Sequence, residues 1–139
     1  MSRAKIKYKK KSFESDGNSS DISANIYMSM LQNKNFKQLS DKQVRLYLYC
    51  KAQYYTEKRK PRTNIELGGE TSEEFFTMNE NKWKNLYGLY TENTRRYFYK
   101  DMSRLIELGF IDKVESGQHT RTSNIYKFSD RWWKEIKSP

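Results

Sequence analysis

No stretch of about 18 consecutive apolar residues occurs in this chain, so no segment reads as a membrane-spanning helix. There is one cysteine, Cys50, which cannot form an internal disulfide, and one histidine, His119. A single Cys and a single His far apart do not make a zinc site without several carboxylates, and no metal or other cofactor is expected. The basic N-terminus lacks an apolar core, so it does not read as a secretory signal, and a cytoplasmic location is expected. Internal repeats, a phosphate-cradling glycine loop, a histidine pair for metal-dependent nucleic-acid cleavage and a nucleophile–base–acid set are all missing. Gly68-Gly69 lacks the lysine context of a nucleotide loop. A non-enzymatic protein is expected.

What the 139 residues do contain is aromatic mass and positive charge. Eleven Tyr, seven Phe and three Trp suffice for one modest core, so a single domain is expected over 22–139. The formal net charge is +10. Residues 1–12 hold six basic side chains, Lys9, Lys10 and Lys11 among them, and no acid; 1–21 therefore reads as a basic, polar flexible tail. The body keeps a surplus of +4, and the same surplus lies between Lys82 and Arg104, where six basic residues face Glu92 and Asp101.

The apolar spacing predicts a short helix over 22–32, from Ile22, Ile26, Met30 and Leu31, and a longer one over 41–56 after an N-cap near Ser40. Val44, Tyr47, Leu48 and Lys51 share one face of the second; alternation at Leu46, Leu48 and Cys50 would also fit a strand. Residues 57–72 read as a polar surface connection. From Phe75 the order sharpens. After a short apolar run, Asn79 can cap a helix whose inner face carries Trp83, Leu86 and Tyr87, and Gly88 ends it. Thr91 can cap a second helix, about 92–108, with Phe98, Met102, Leu105 and Ile106 inward and Gly109 as its stop. Phe110-Ile111, Val114, a polar tip from Ser116 to Ser123, and Ile125, Tyr126 and Phe128 then read as a hairpin. Trp132 and Trp133 are expected to close the core.

Helix, tight turn, helix, Gly-Phe-Ile and a basic hairpin resemble a winged helix-turn-helix, most strongly in Arg104 to Ile111, with Ser116-Gly117 and Asn124 to Lys127 similar to the wing and its return strand. The segments Phe36 to Ser40 and Ile125 to Trp132 are similar to small winged-helix proteins of Gram-positive plasmids, phages and conjugative elements, replication-initiation domains among them. The resemblance implies a mainly α, α+β fold with a helix-turn-helix at about 79–108 and a C-terminal β-wing of two to three strands at about 110–128. It implies double-stranded DNA as partner, bound in replication initiation or conjugative transfer on a mobile element.

An exposed helix fits the major groove, with its leading residues nearest the base edges. The expected contacts are Asn93, Thr94, Arg95, Arg96 and Tyr97 at the start, Lys100 and Arg104 further along as phosphate contacts, Arg121 in the wing, and Lys9, Lys10 and Lys11 in the tail. A solvated face is the plain alternative for two arginines and a lysine, and Tyr97 and Tyr99 read as surface or packing aromatics. One winged helix makes few contacts, so tight binding calls for a homodimer or multimer on repeated sites, with replication or transfer proteins as further partners. A repressor of the same fold and a winged-helix protein-interaction module are the competing functions.

Overall fold

Ser40 and Gln43 open the longest helix by capping each other. The Gln43 amide donates to Ser40 Oγ (3.2 Å), and the Ser40 amide donates to Gln43 Oε1 (2.9 Å). This reciprocal box satisfies two amides that an α-helix start leaves without partners. The structure is a computed structural model that describes residues 11–18, 21, 23–56, 75–115 and 124–134.

In chain order, a 3-10 turn (Ser12–Glu14) precedes α1 (Met28–Leu31), and a second 3-10 turn (Phe36–Gln38) leads to α2 (Asp41–Thr56), followed by β1 (Phe75–Thr77). A π-helical stretch (Asn81–Leu86) and α3 (Arg95–Glu107) come next, then β2 (Ile111–Glu115), β3 (Ile125–Phe128) and α4 (Arg131–Lys134). The three strands form one antiparallel sheet in the order β1-β3-β2, so the last strand lies in the middle. Phe76 pairs with Tyr126 on one side of it, and Lys113 with Tyr126 on the other. The layout is mainly helical α+β and compatible with a winged-helix-like arrangement.

The core is aromatic. Trp83 stacks on Phe98 (ring centroids 4.9 Å) and meets Tyr90 edge-on, and Phe76 stacks on Phe128 (4.8 Å). Tyr47 and Phe36 both pack against Phe110. Aromatic pairs at these separations add roughly 0.5–1.5 kcal/mol beyond area burial. Cys50 is fully buried, in contact with the Met102 sulfur at 4.0 Å, as a small hydrophobe.

Four expectations are corrected here. First, among the described residues of 22–32, helix covers Met28–Leu31 and no more. Tyr27 is extended, and Tyr27 and Leu31 are exposed while Ile26 and Met30 turn inward. So narrow a buried edge does not repay the cost of nucleating a longer helix.

Second, α2 buries Leu46, Tyr47, Cys50 and Gln53 rather than the face through Val44, Leu48 and Lys51, which are half-buried. The strand reading of 46–50 fails because the whole span from Asp41 to Thr56 is helical.

Third, the helix expected after Asn79 is wound wider. Asn79 does cap it, its Oδ1 accepting from the Lys82 amide (3.1 Å), but the Tyr87 amide reaches back five residues to the Lys82 carbonyl. The wider turn keeps Trp83 inside and swings Leu86 out to 63% exposure. Gly88 then ends the stretch at φ +63°, as expected.

Fourth, α3 proper starts at Arg95, because Glu92–Thr94 form a tighter 3-10 turn. Phe98, Met102 and Leu105 are buried, whereas Ile106 is half-buried. At the C-terminal end, Trp132 stacks on Phe110 (5.8 Å) but Trp133 is half-exposed.

Candidate nucleic-acid interface

Burying an apolar side chain contributes roughly 1.5–3 kcal/mol. Phe98, Met102 and Leu105 therefore fix the rotation of α3 about its axis, and whatever lies opposite them must face out. Arg96, Tyr97, Lys100 and Ser103 occupy that outer face, and all four are exposed. Two contacts behind the helix hold it in place. Tyr90 Oη donates to Asp101 Oδ2 (2.6 Å), and Gln43 Nε2 of α2 donates to Asp101 Oδ1 (3.0 Å). One inward carboxylate thus ties α3 to both α2 and the preceding turn.

The leading turn is set by Thr91 and Thr94. The Thr91 amide donates to Thr94 Oγ1 (2.8 Å), and the two hydroxyls lie 3.1 Å apart. The Thr94 side chain, one of the expected contacts, is thus engaged in the local backbone of this turn. Asn93, on the same turn, is exposed.

The cations differ in how far they are already compensated. Arg95 donates to Glu80 Oε1 at 2.5 Å, and its pKa is raised first by that hydrogen bond and then by the carboxylate's charge. Glu80 also lies 3.9 Å from Lys84, which lies 3.7 Å from Glu92. This alternating chain of four charges joins the π-helical stretch to the entry of α3. Arg104 pairs with Glu107 and reaches Gln38 Oε1 at 3.4 Å, so it is folded against the protein rather than projected from it.

Arg96 and Lys100 have no carboxylate within ion-pair distance among the described residues. The Arg96 guanidinium lies 5.0 Å from the Tyr97 ring centroid and donates to Tyr97 Oη (3.2 Å). That bond, followed by the cation's charge, pulls the Tyr97 hydroxyl below its ordinary pKa. The result is an exposed guanidinium–phenol pair followed one helical turn later by an uncompensated ammonium.

Of the remaining expected contacts, Lys11 is exposed and its amide caps onto Glu14 (2.7 Å), while Lys9, Lys10 and Arg121 lie outside the described residues, as does the tip of the hairpin. Sequence reading missed Glu80 as the partner of Arg95 and Asp101 as the anchor of α3. A Glu placed to favour a helix N-terminus gives no sign that it will also reach fifteen residues ahead.

Among the described residues, no helix is long and apolar enough to cross a membrane and no cluster of His, Cys, Asp and Glu could hold a metal ion. No protein-family model matches the chain, and comparisons with curated proteins and with solved structures found no match.

Proposed function

We propose that the protein binds double-stranded DNA as a winged helix, with α3 as the recognition helix in the major groove and the β2–β3 hairpin as the wing. The observation that carries this reading is the outer face of α3. Arg96 and Lys100 are exposed there with no carboxylate within ion-pair distance among the described residues, on a helix whose rotation is fixed by three buried side chains and one buttressed carboxylate. Arg96 suits bidentate pairing with a guanine edge, and Lys100 suits a phosphate. Asn93 stands ahead of them at the leading turn. Arg95 meets DNA only if a phosphate replaces Glu80.

The process we propose is DNA processing on a bacterial mobile element, either replication initiation or conjugative transfer. That part follows from the resemblance of Phe36 to Ser40 and of Ile125 to Trp132 to small winged-helix proteins of such elements.

Fluorescence anisotropy with duplexes from the protein's own replicon tests the reading. The wild type should select one duplex sequence over random competitors. Arg96→Ala should lose roughly 1–3 kcal/mol of that discrimination while still binding DNA at large. Absence of any duplex binding at about 0.15 M salt, or undiminished selectivity of Arg96→Ala, overturns it.

A further inference from the structure

Away from the outer face of α3, a cavity of about 310 Å³ opens between α1, α2, β3 and α4. It is large enough for roughly ten waters at about 30 Å³ each, and it lies within the usual range of small-molecule sites. Its walls are rings: Tyr47 and Tyr54 of α2, Phe128 of β3 and Trp132 of α4, with Tyr27 at the mouth. Met30 lines it as well. The rings hold one another at fixed angles. Phe128 is edge-on to both Tyr47 (5.9 Å) and Tyr54 (5.5 Å), and Trp132 is pinned by its stack on Phe110 and by the hydrogen bond its backbone amide donates to the Gly109 carbonyl (3.1 Å).

Into this aromatic space comes one charge, Lys51. Its Nζ donates to the Asn25 carbonyl at 2.7 Å and lies 5.3 Å from the centroid of the Tyr47 ring. An ammonium has three donors, and a carbonyl with a ring face is weak company for it. Among the described residues no Asp or Glu lines the cavity, and none forms an ion pair with Lys51. Burial pushes the Lys51 pKa down, the mark of a charge short of compensation.

From this geometry we propose that the cavity binds a small planar aromatic carboxylate, its ring held among Tyr47, Tyr54, Phe128 and Trp132 and its carboxylate on Lys51 Nζ. The ring walls supply apolar area and stacking faces for a planar ring. A carboxylate supplies the counter-charge that none of the described residues gives Lys51, in surroundings where a charge-assisted hydrogen bond is strong. A cationic ligand is disfavoured by Lys51, and an uncharged ring forgoes the anchor. This site stands whether or not DNA is the partner of α3.

Calorimetric titration of the full chain with indole-3-acetate, indole and acetate tests it. Indole-3-acetate should bind saturably with one site, at least tenfold more tightly than indole, and acetate should give no saturable signal. Lys51→Met keeps the stem and removes the charge, so it should bring indole-3-acetate down to the affinity of indole and leave indole unchanged. Tyr27 is 71% exposed, so Tyr27→Ala should fold normally and weaken both aromatic ligands several-fold. No saturable binding of indole-3-acetate to the wild type overturns the proposal. So does equal affinity for indole and indole-3-acetate, or an indole-3-acetate affinity that neither variant lowers.

Discussion

The guanidinium of Arg95 stands 2.5 Å from the carboxylate of Glu80, fifteen residues earlier on the π-helical stretch. Of the two adjacent arginines at the start of α3, one is therefore held by the protein and the other, Arg96, is offered to solvent. A held arginine must exchange one anion for another before it meets a phosphate, and the exchange cancels most of the gain. Glu80→Gln should release Arg95. The expected outcome is tighter binding to all duplexes alike, with the logarithmic salt dependence steeper by about 0.9, the value for one added phosphate contact. Anisotropy titrations over a salt series measure it. An unchanged slope would mean that Arg95 already meets DNA in the wild type, or that it never does.

The same logic separates Lys100 from Arg104. Lys100 is exposed with no acidic partner among the described residues, whereas Arg104 is half-buried and paired with Glu107. Lys100→Ala should make the salt slope shallower by about 0.9 and weaken specific and random duplexes equally. Arg104→Ala should change the slope by much less, because its charge is already met. A larger effect from Arg104 than from Lys100 would invert the proposed order of contacts along the helix.

How far these features could be read in advance depends on their range. The bounds of α2, read as 41–56 and found at Asp41–Thr56, rest on a local cap and a continuous apolar segment. The inward trio Phe98, Met102 and Leu105 follows from helical spacing alone, and so does the outward position of Arg96 and Lys100. The π winding of Asn81–Leu86 did not show, because Trp83, Leu86 and Tyr87 recur at the steps of an ordinary α-helix. Only the packing of Trp83 against Phe98 and Tyr90 decides that Leu86 turns out. The ion pair that holds Arg95 was hidden for the same reason. It depends on where two elements come to rest, and single-sequence spacing carries no such information. The cavity around Lys51 draws on four separate elements, and none of them signals it alone.

Gly109 ends α3 with a left-handed residue. The Gly109 amide donates to the Ile106 carbonyl (3.1 Å) and the Phe110 amide to that of Leu105 (2.9 Å), the two bonds of a Schellman cap. Its φ is +87°, and a Cβ here would fall 2.7 Å from the Trp132 backbone nitrogen and 2.9 Å from the Arg131 carbonyl carbon. Gly88 has φ +63° but open space around it. Gly88→Ala should therefore cost only the left-handed penalty, about 1–2 kcal/mol. Gly109→Ala must add the displacement of α4 and should cost at least about 3 kcal/mol, a large part of a small domain's stability. Urea denaturation of the two variants checks the difference, and equal costs would show that α4 moves away freely.

Four buried acidic groups make stability sensitive to alkali. Burial raises the Tyr47 and Cys50 pKa values, and it raises that of Tyr90 with help from the hydrogen bond to Asp101. Burial also pushes Tyr126 up to about 12, against a smaller lowering by the Asn124 hydrogen bond. Each of these groups stays protonated in the folded chain at a pH where the unfolded chain gives up its proton. A raised pKa of this kind contributes stability that is whole below the unfolded value and is lost as pH climbs toward the folded one. The unfolded values are 9.0 for the cysteine and 10.0 for the tyrosines, so the loss should begin above pH 9.0 and steepen above 10.0. Each group adds at most about 1.4 kcal/mol per pH unit to the slope. Urea midpoints followed from neutral pH upward should stay level and then fall. Tyrosinate absorbance should show part of the phenol population titrating only as the chain unfolds. Cys50→Ala should delay the first part of the fall and leave the steeper part in place, since the tyrosines remain. Midpoints that held level or rose above pH 10.0 would mean that these hydroxyls reach water in the folded protein.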